Sequence, residues 1–348
     1  MKNFSIILCI FLVASGLVTA ETLYVDIQKG SNDNPGSREM PLRTIQKAVD
    51  IVNALVEPGP STIKIAPGLY ALERECLISN KRKVSEKDRL IIEAVILPDD
   101  QNWKPQDMPI IISVQNPSIP ENAKFMEVSG LKVEISHVSI RGLKFMGTFI
   151  PKLLYYPIYR QGINLDDLVI SQCMFICGRH VSSSNVAVLA NGHGLKIDHC
   201  VFYNCTNAAV FWNAEGGVSR RNAMTYCIID GCYVSGVWLC QTDEDFEFHH
   251  NIISNCKYAF MRNENNNRTY PVNDCIINHY EFYSGRSGPN FELSEAGAEM
   301  PYLETSVIKT GEIQLEEGLG LDLEIPYRYL HVAKGTQGFE LGAGLFTK

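Results

Sequence analysis

One pattern recurs six times through the middle of the chain. It runs Leu168, Ile170, Cys173, Phe175, then Leu195, Ile197, Cys200, Phe202. Weaker copies run Met224, Cys227, Ile229, then Phe246, Phe248, Asn251, Ile253, then Val272, Cys275, Ile277, with an earlier one at Val138, Ile140, Leu143, Phe145. The equivalent positions 143, 173, 200, 227, 251 and 275 are separated by 30, 27, 27, 24 and 24 residues. A period of this size means one supersecondary unit per repeat, stacked on its neighbours, because no single repeat can bury its own apolar face.

Each repeat holds short apolar strands and no helical stripe. Val201, Phe202 and Tyr203 are β-branched or aromatic. A third apolar stretch follows in each unit: Ala209 to Trp212, Gly236 to Leu239, Ala259 to Met261. Leucine-rich repeats need spaced leucines and a helical half that are missing here, and a propeller blade needs a period of about 40 or more. Three strands per unit instead predict a single-stranded parallel β-helix, an all-β solenoid of about eight or nine rungs spaced ~4.8 Å apart.

The inward asparagine of such turns is matched by Asn251; Cys173, Cys200, Cys227 and Cys275 and Leu143 replace it elsewhere. With these residues the chain resembles the right-handed parallel β-helix superfamily that contains the pectate lyases, and this resemblance implies the right hand of the coil. The N-terminal part, Tyr24 through a Gly/Asn/Pro loop to Pro41, Thr44, Ile45 and Val49, looks like the common opening of secreted members of that superfamily. A short helix starting near Pro41, with Leu42, Ile45, Val49 and Val52 on one face, is expected to cap the open end of the coil. At the other end, Gly338 to Ala343 is similar to the superfamily's closing strand, with Glu340 and Leu341 at its Asp and Ile positions. The resemblance implies action on polysaccharide, and calcium as the cofactor where the activity is a lyase.

The expected layout is a signal peptide at 1–20, an entering strand and capping helix at 21–60, rungs at 61–285, and final rungs and cap at 286–348. Residues 4–18 form an apolar run followed by Val18 and Ala20, a signal-peptide pattern too short for a convincing membrane span. The mature protein is therefore expected to be secreted, with no membrane partner. The formal net charge of −8 becomes −9 once Lys2 is removed, which disfavours nucleic acid. Termini that look capped favour a monomer.

Ten cysteines remain in the mature chain of the eleven present. In an exported protein disulfides come first to mind. Cys173, Cys200, Cys227 and Cys275, however, occupy equivalent rung positions, as do Cys205, Cys232 and Cys256. A ~4.8 Å rung spacing is longer than the ~3.8 Å Cβ separation of a disulfide, so buried core thiols are expected.

Chemistry must then lie outside the coil or in its turns. If Val210 and Val237 face inward, Phe211 and Trp238 stack on the outer surface, with Met261 or Arg262 on the next rung, and offer flat faces to sugar rings. The turns that follow this strand carry His193, Glu215, Arg220, Arg221, Asp243, Glu244, Asp245 and Arg268. Glu215, Asp243 and Asp245 are candidate members of a glycosidase carboxylate pair, since stacking gives separations of ~5 or ~10 Å. The same turns suit β-elimination from a uronic acid. There Arg220, Arg221 or Arg262 would neutralise the carboxylate, His193, His249 or Arg220 would take the C5 proton, and Asp243, Glu244 and Asp245 would supply oxygens to calcium. Lyase is placed slightly ahead of hydrolase, and a non-catalytic glycan- or surface-binding protein is the alternative. A polar external ladder of His199, Tyr226, His250 and Asp274 is expected at one corner. Two insertions, 98–109 with Trp103 and 146–162 with Tyr155, Tyr156 and Tyr159, are expected to lean on the groove or pack on the coil.

Overall fold

The computed structural model describes residues 21–79, 84–148, 150, 152–178, 184–213, 217–288, 292–295, 301–317 and 330–347. The leader expected at 1–20 and the candidate Glu215 lie outside these residues.

Three strand faces wind around one core. The first face runs from Glu21–Val25 and Ser61–Ile65 through Leu168–Ser171, Leu195–Asp198 and Ala223–Thr225 to Glu247–His249. The second holds, among others, Lys144–Met146, Met174–Ile176, Val201–Tyr203 and Ile228–Asp230. The third holds Met126–Val133, Leu153–Arg160, Val186–Ala190, Asn207–Phe211, Ser235–Leu239 and Tyr258–Asn263. Neighbours within each face pair in parallel and in register, as Leu168 with Leu195 and Val201 with Ile228. Among the described residues, eight turns of the chain carry a strand on all three faces. The fold is thus a single-stranded right-handed parallel β-helix.

The repeated phrase explains the columns. Cys173, Cys200 and Cys227 lie one over another in the core, each thiol donating to a carbonyl of the previous rung: Ile140 at 3.7 Å, Ile170 at 3.6 Å and Ile197 at 3.7 Å. Asn251 continues the column. Its Oδ1 accepts from the Cys227 N–H at 2.9 Å and its Nδ2 donates to the Met224 carbonyl at 2.7 Å. On the second face Phe145, Phe175 and Phe202 stack with centroids 5.1 and 4.8 Å apart. All ten described cysteines are buried and free, and burial pushes the thiols of Cys173 and Cys200 well above the ordinary range.

The corner between the first and second faces turns through one left-handed residue per rung: Gln172, His199, Tyr226, His250 and Asp274, with φ between 48° and 55°. Their side chains stack. His199 lies 4.7 Å from Tyr226, and Tyr226 lies 4.6 Å from His250. Parallel ring stacking within a column offsets part of the left-handed backbone cost.

Three expectations are corrected. The helix is Ile45–Ala54, capped by Thr44, whose side chain accepts from the Lys47 N–H; Leu42 precedes it and bridges to Val25. Residues 146–162 are no pure insertion, because Leu153–Arg160 is a strand of the third face, paired with Met126–Val133. Residues 338–343 form no closing strand. Gly338 and Gly342, at φ 90° and 67°, bracket a 3-10 turn at Phe339–Leu341.

The tail that follows runs along the coil axis over the outside of the second face. The Gly344 N–H donates to the Tyr226 carbonyl at 2.8 Å, Gln172 Nε2 donates to the Leu345 carbonyl at 2.9 Å, and the Thr347 N–H donates to Asp99 Oδ1 at 2.9 Å. Leu330, Val332 and Leu345 thereby bury the column Met174, Val201, Ile228, Ile252 and Ile276. Trp103 packs edge-on against Phe346, 5.4 Å away, and so belongs to this covering.

Candidate functional site

The third face differs from the other two in its pleat. In each strand two consecutive residues point into the core: Ala187 and Val188, Ala208 and Ala209, Ala259 and Phe260. In Ser235–Leu239 the matching pair is Gly236 and Val237; a Cβ at Gly236 would sit 2.8 Å from the Ala259 carbonyl oxygen. Small residues permit this bend, and the bend shifts the alternation by one. Tyr159, Leu189, Val210, Trp238 and Met261 consequently form one outward column. Phe211 pairs with Leu239 in the core, 2% exposed, and is no surface platform. Val210, expected inside, is the residue level with Trp238.

Arg262 follows the inward column. It is fully buried, with Nε donating to the Tyr302 hydroxyl at 2.9 Å, another nitrogen donating to the Pro301 carbonyl at 2.9 Å, and its guanidinium 4.1 Å from the Tyr302 ring. It is a core residue and reaches no surface ligand.

The outward column floors a cleft of about 760 Å³. Tyr156, Tyr159, Leu189, Val210, Trp212 and Trp238 supply its apolar surface; Glu127, Gln161, Asn185, Asn191 and Asn207 supply polar groups. The aromatic rings are fixed. Trp212 and Trp238 meet edge-on at 6.0 Å, Trp238 Nε1 donates to Asn263 Oδ1 at 2.9 Å, and the Tyr156 hydroxyl donates to Glu127 Oε1 at 3.0 Å. Burial first, and then the Glu127 carboxylate, push the Tyr156 hydroxyl above its ordinary value, so it stays a donor. Of these residues the sequence points to Trp238 as a platform and to Tyr156 and Tyr159 as aromatics of an insertion that reach a ligand or pack on the coil. Counting outward from the paired small residues in each third strand would have found the rest.

The nominated turns do meet, at the edge where Asn191 and Trp212 end the cleft. The Arg220 N–H donates to His193 Nδ1 at 3.2 Å, and Arg220 Nε lies 3.0 Å from Asp243 Oδ2. Arg268 Nε lies 3.8 Å from the other oxygen of Asp243. The Arg221 N–H donates to Asp245 Oδ2 at 3.0 Å, and its guanidinium pairs with Asp166. Glu244 turns away and accepts from the Thr269 N–H at 3.2 Å. Asp243, Glu244 and Asp245 therefore take three different sets of partners, and no group of three His, Cys, Asp or Glu side chains suited to a metal occurs among the described residues. The set does not fit calcium, whose site needs several oxygens converging on one point.

His249 lies apart from this cluster, at the opposite end of the first face. Its Nδ1 is 3.1 Å from His250 Nδ1 and its ring meets Tyr226 edge-on. Burial and the His250 ring hold its pKa below the ordinary value.

A family model described as the right-handed β-helix region matches residues 121–284. No curated protein matches the chain by sequence. Among solved structures, a rhamnogalacturonan lyase is 14% identical with a TM-score of 0.49, over 87% of this chain and 78% of its own. The pectate lyase Pel9A is 14% identical with a TM-score of 0.48, over 85% and 78%. Over residues 121–284 the chain is similar to the right-handed β-helix family, and its fold is a right-handed parallel β-helix. These likenesses are of fold, and activity has to be argued from the site.

Proposed function

We propose that the protein is exported and binds a polysaccharide chain in the cleft of the third face. The observation that carries this reading is the floor, where Tyr156 and Tyr159 of one rung and Trp212 and Trp238 of two later rungs lie beside three asparagine side chains. Sugars present apolar ring faces and a rim of hydroxyls. Aromatic faces match the first and amides the second. Because Asn263 holds Trp238 and Glu127 holds Tyr156, little side-chain freedom is lost on binding.

The test is retention on a panel of immobilised polysaccharides. Trp212→Ala and Trp238→Ala should each weaken retention about tenfold or more, as expected of buried aromatic anchors. Retention of no polysaccharide, or full retention by both variants, would sink the reading.

Cleavage of the bound chain is a second reading. It is supported by the meeting of His193, Arg220 and Asp243 from three successive turns at the cleft edge. Arg220, its side chain 62% exposed, stands at the cleft edge paired with Asp243. A new unsaturated bond, seen by ultraviolet absorbance, would mark a lyase; new reducing ends without it would mark a hydrolase. Unchanged polymer under both readouts, with binding intact, leaves a non-catalytic glycan-binding protein.

A further inference from the structure

Resting on the reading that the cleft holds a glycan, we infer that it selects uncharged sugar residues and discriminates against uronic acids. Among the described residues lining it, Glu127 is the sole charged side chain. Among the described residues neither arginine nor lysine lines the floor or the rim. The next position down the outward column is Lys132, level with Tyr159, and it is held by two carboxylates, Glu75 at 3.7 Å and Glu134 at 3.4 Å. Summed over Glu75, Glu127, Lys132 and Glu134, that end of the cleft is negative. The arginines at the other edge are engaged too: Arg220 and Arg268 by Asp243, Arg221 by Asp166.

A uronate carboxylate entering the cleft would lose water without gaining a cation and would face Glu127. A neutral residue suffers neither penalty. Its hydroxyl can donate to the Glu127 oxygen that Tyr156 does not occupy, a charge-assisted bond stronger than one between neutral groups. The amides of Asn185, Asn191 and Asn207 accept and donate equally well to hydroxyls. The cleft chemistry therefore favours hydroxyl-rich, uncharged chains. Should cleavage be seen, hydrolysis follows more naturally than elimination, which needs a uronate.

Affinity gel electrophoresis against galactomannan, arabinoxylan and polygalacturonate, each at low and at high salt, tests the inference. At least one neutral polymer should bind about tenfold or more tightly than polygalacturonate. Glu127→Gln, at an exposed position where folding is not at stake, should narrow that ratio. It would do so by strengthening polygalacturonate and weakening the neutral polymer. Tighter binding of polygalacturonate than of every neutral polymer, abolished by Trp238→Ala, would overturn the selectivity while leaving the cleft as the glycan site. A ratio unmoved by Glu127→Gln would overturn the role given to that carboxylate. Retention of neither class would remove the glycan reading itself, and the selectivity with it.

Discussion

Asn251 reaches back one rung to Cys227: its Oδ1 accepts the Cys227 N–H at 2.9 Å while its own N–H points at Cys275 Sγ, 3.4 Å away. One column thus uses an amide and a thiol interchangeably as acceptors for the backbone of the rung before. Asn251→Ala would take the acceptor from the buried Cys227 N–H and a donor from the buried Met224 carbonyl. Each such loss costs about 1–3 kcal/mol, so urea unfolding should show about 3 kcal/mol of destabilisation. Asn251→Cys should recover part of it, because the thiol supplies a weak acceptor. Equal losses in the two variants would show that the acceptor is irrelevant.

The thiols make a second prediction. In the chain from Glu21 onward, a thiol reagent should find almost nothing in the native state and ten groups after denaturation without reductant. Burial pushes Cys76, Cys240 and Cys275 up to about 12, which keeps the reactive thiolate scarce near neutral pH. Fewer than ten thiols in the denatured sample would mean that disulfides exist.

The tail over the second face should be separable from the coil. Deleting residues 338–348 uncovers Ile228, Ile252 and Met174, so binding of a hydrophobic dye should rise. The loss of burial for Leu341, Leu345 and Phe346 should cost about 3 kcal/mol or more. Asp99→Ala removes only the exposed bonds to Thr347 and should cost about 1 kcal/mol or less. A truncated protein with unchanged melting and no dye binding would contradict the packing.

Lys144 offers a pH signature. It lies fully buried in the same covered column, level with Ile110 and Met174, and burial lowers its pKa to about 7. The folded value is below the unfolded value of ~10.4. Between about pH 7 and 10 the unfolded chain therefore binds more protons, and stability rises with pH across that window. Lys144→Met should be more stable than the parent at pH 7, with a gap that narrows toward pH 8.5. A constant gap would indicate that Lys144 is charged throughout.

The coil was legible because its determinant is repetition. Cys173, Cys200 and Cys227 could be aligned from spacing alone, and they do form a column. The third face was misread for a local reason. Alternation assumes a regular pleat, and the bend at Ala208 and Ala209 breaks it, which exchanged the places of Val210 and Phe211. The tail was misread because Gly338 to Ala343 has the composition of a strand, while its two left-handed glycines impose a turn. The polar turns were correctly grouped, but their ion pairs depend on side-chain directions that no spacing encodes. Trp103, assigned to a groove, was instead drawn to Phe346 from the far end of the chain.

The small-residue bend has a wider consequence. Since four successive units of the third face contribute the same outward position to the floor, through Tyr159, Leu189, Val210 and Trp238, a ligand lying along the axis meets one apolar station per turn of the chain. Gaining or losing one unit of about 25 residues would lengthen or shorten the recognised stretch of polymer by one step, leaving the remaining stations untouched.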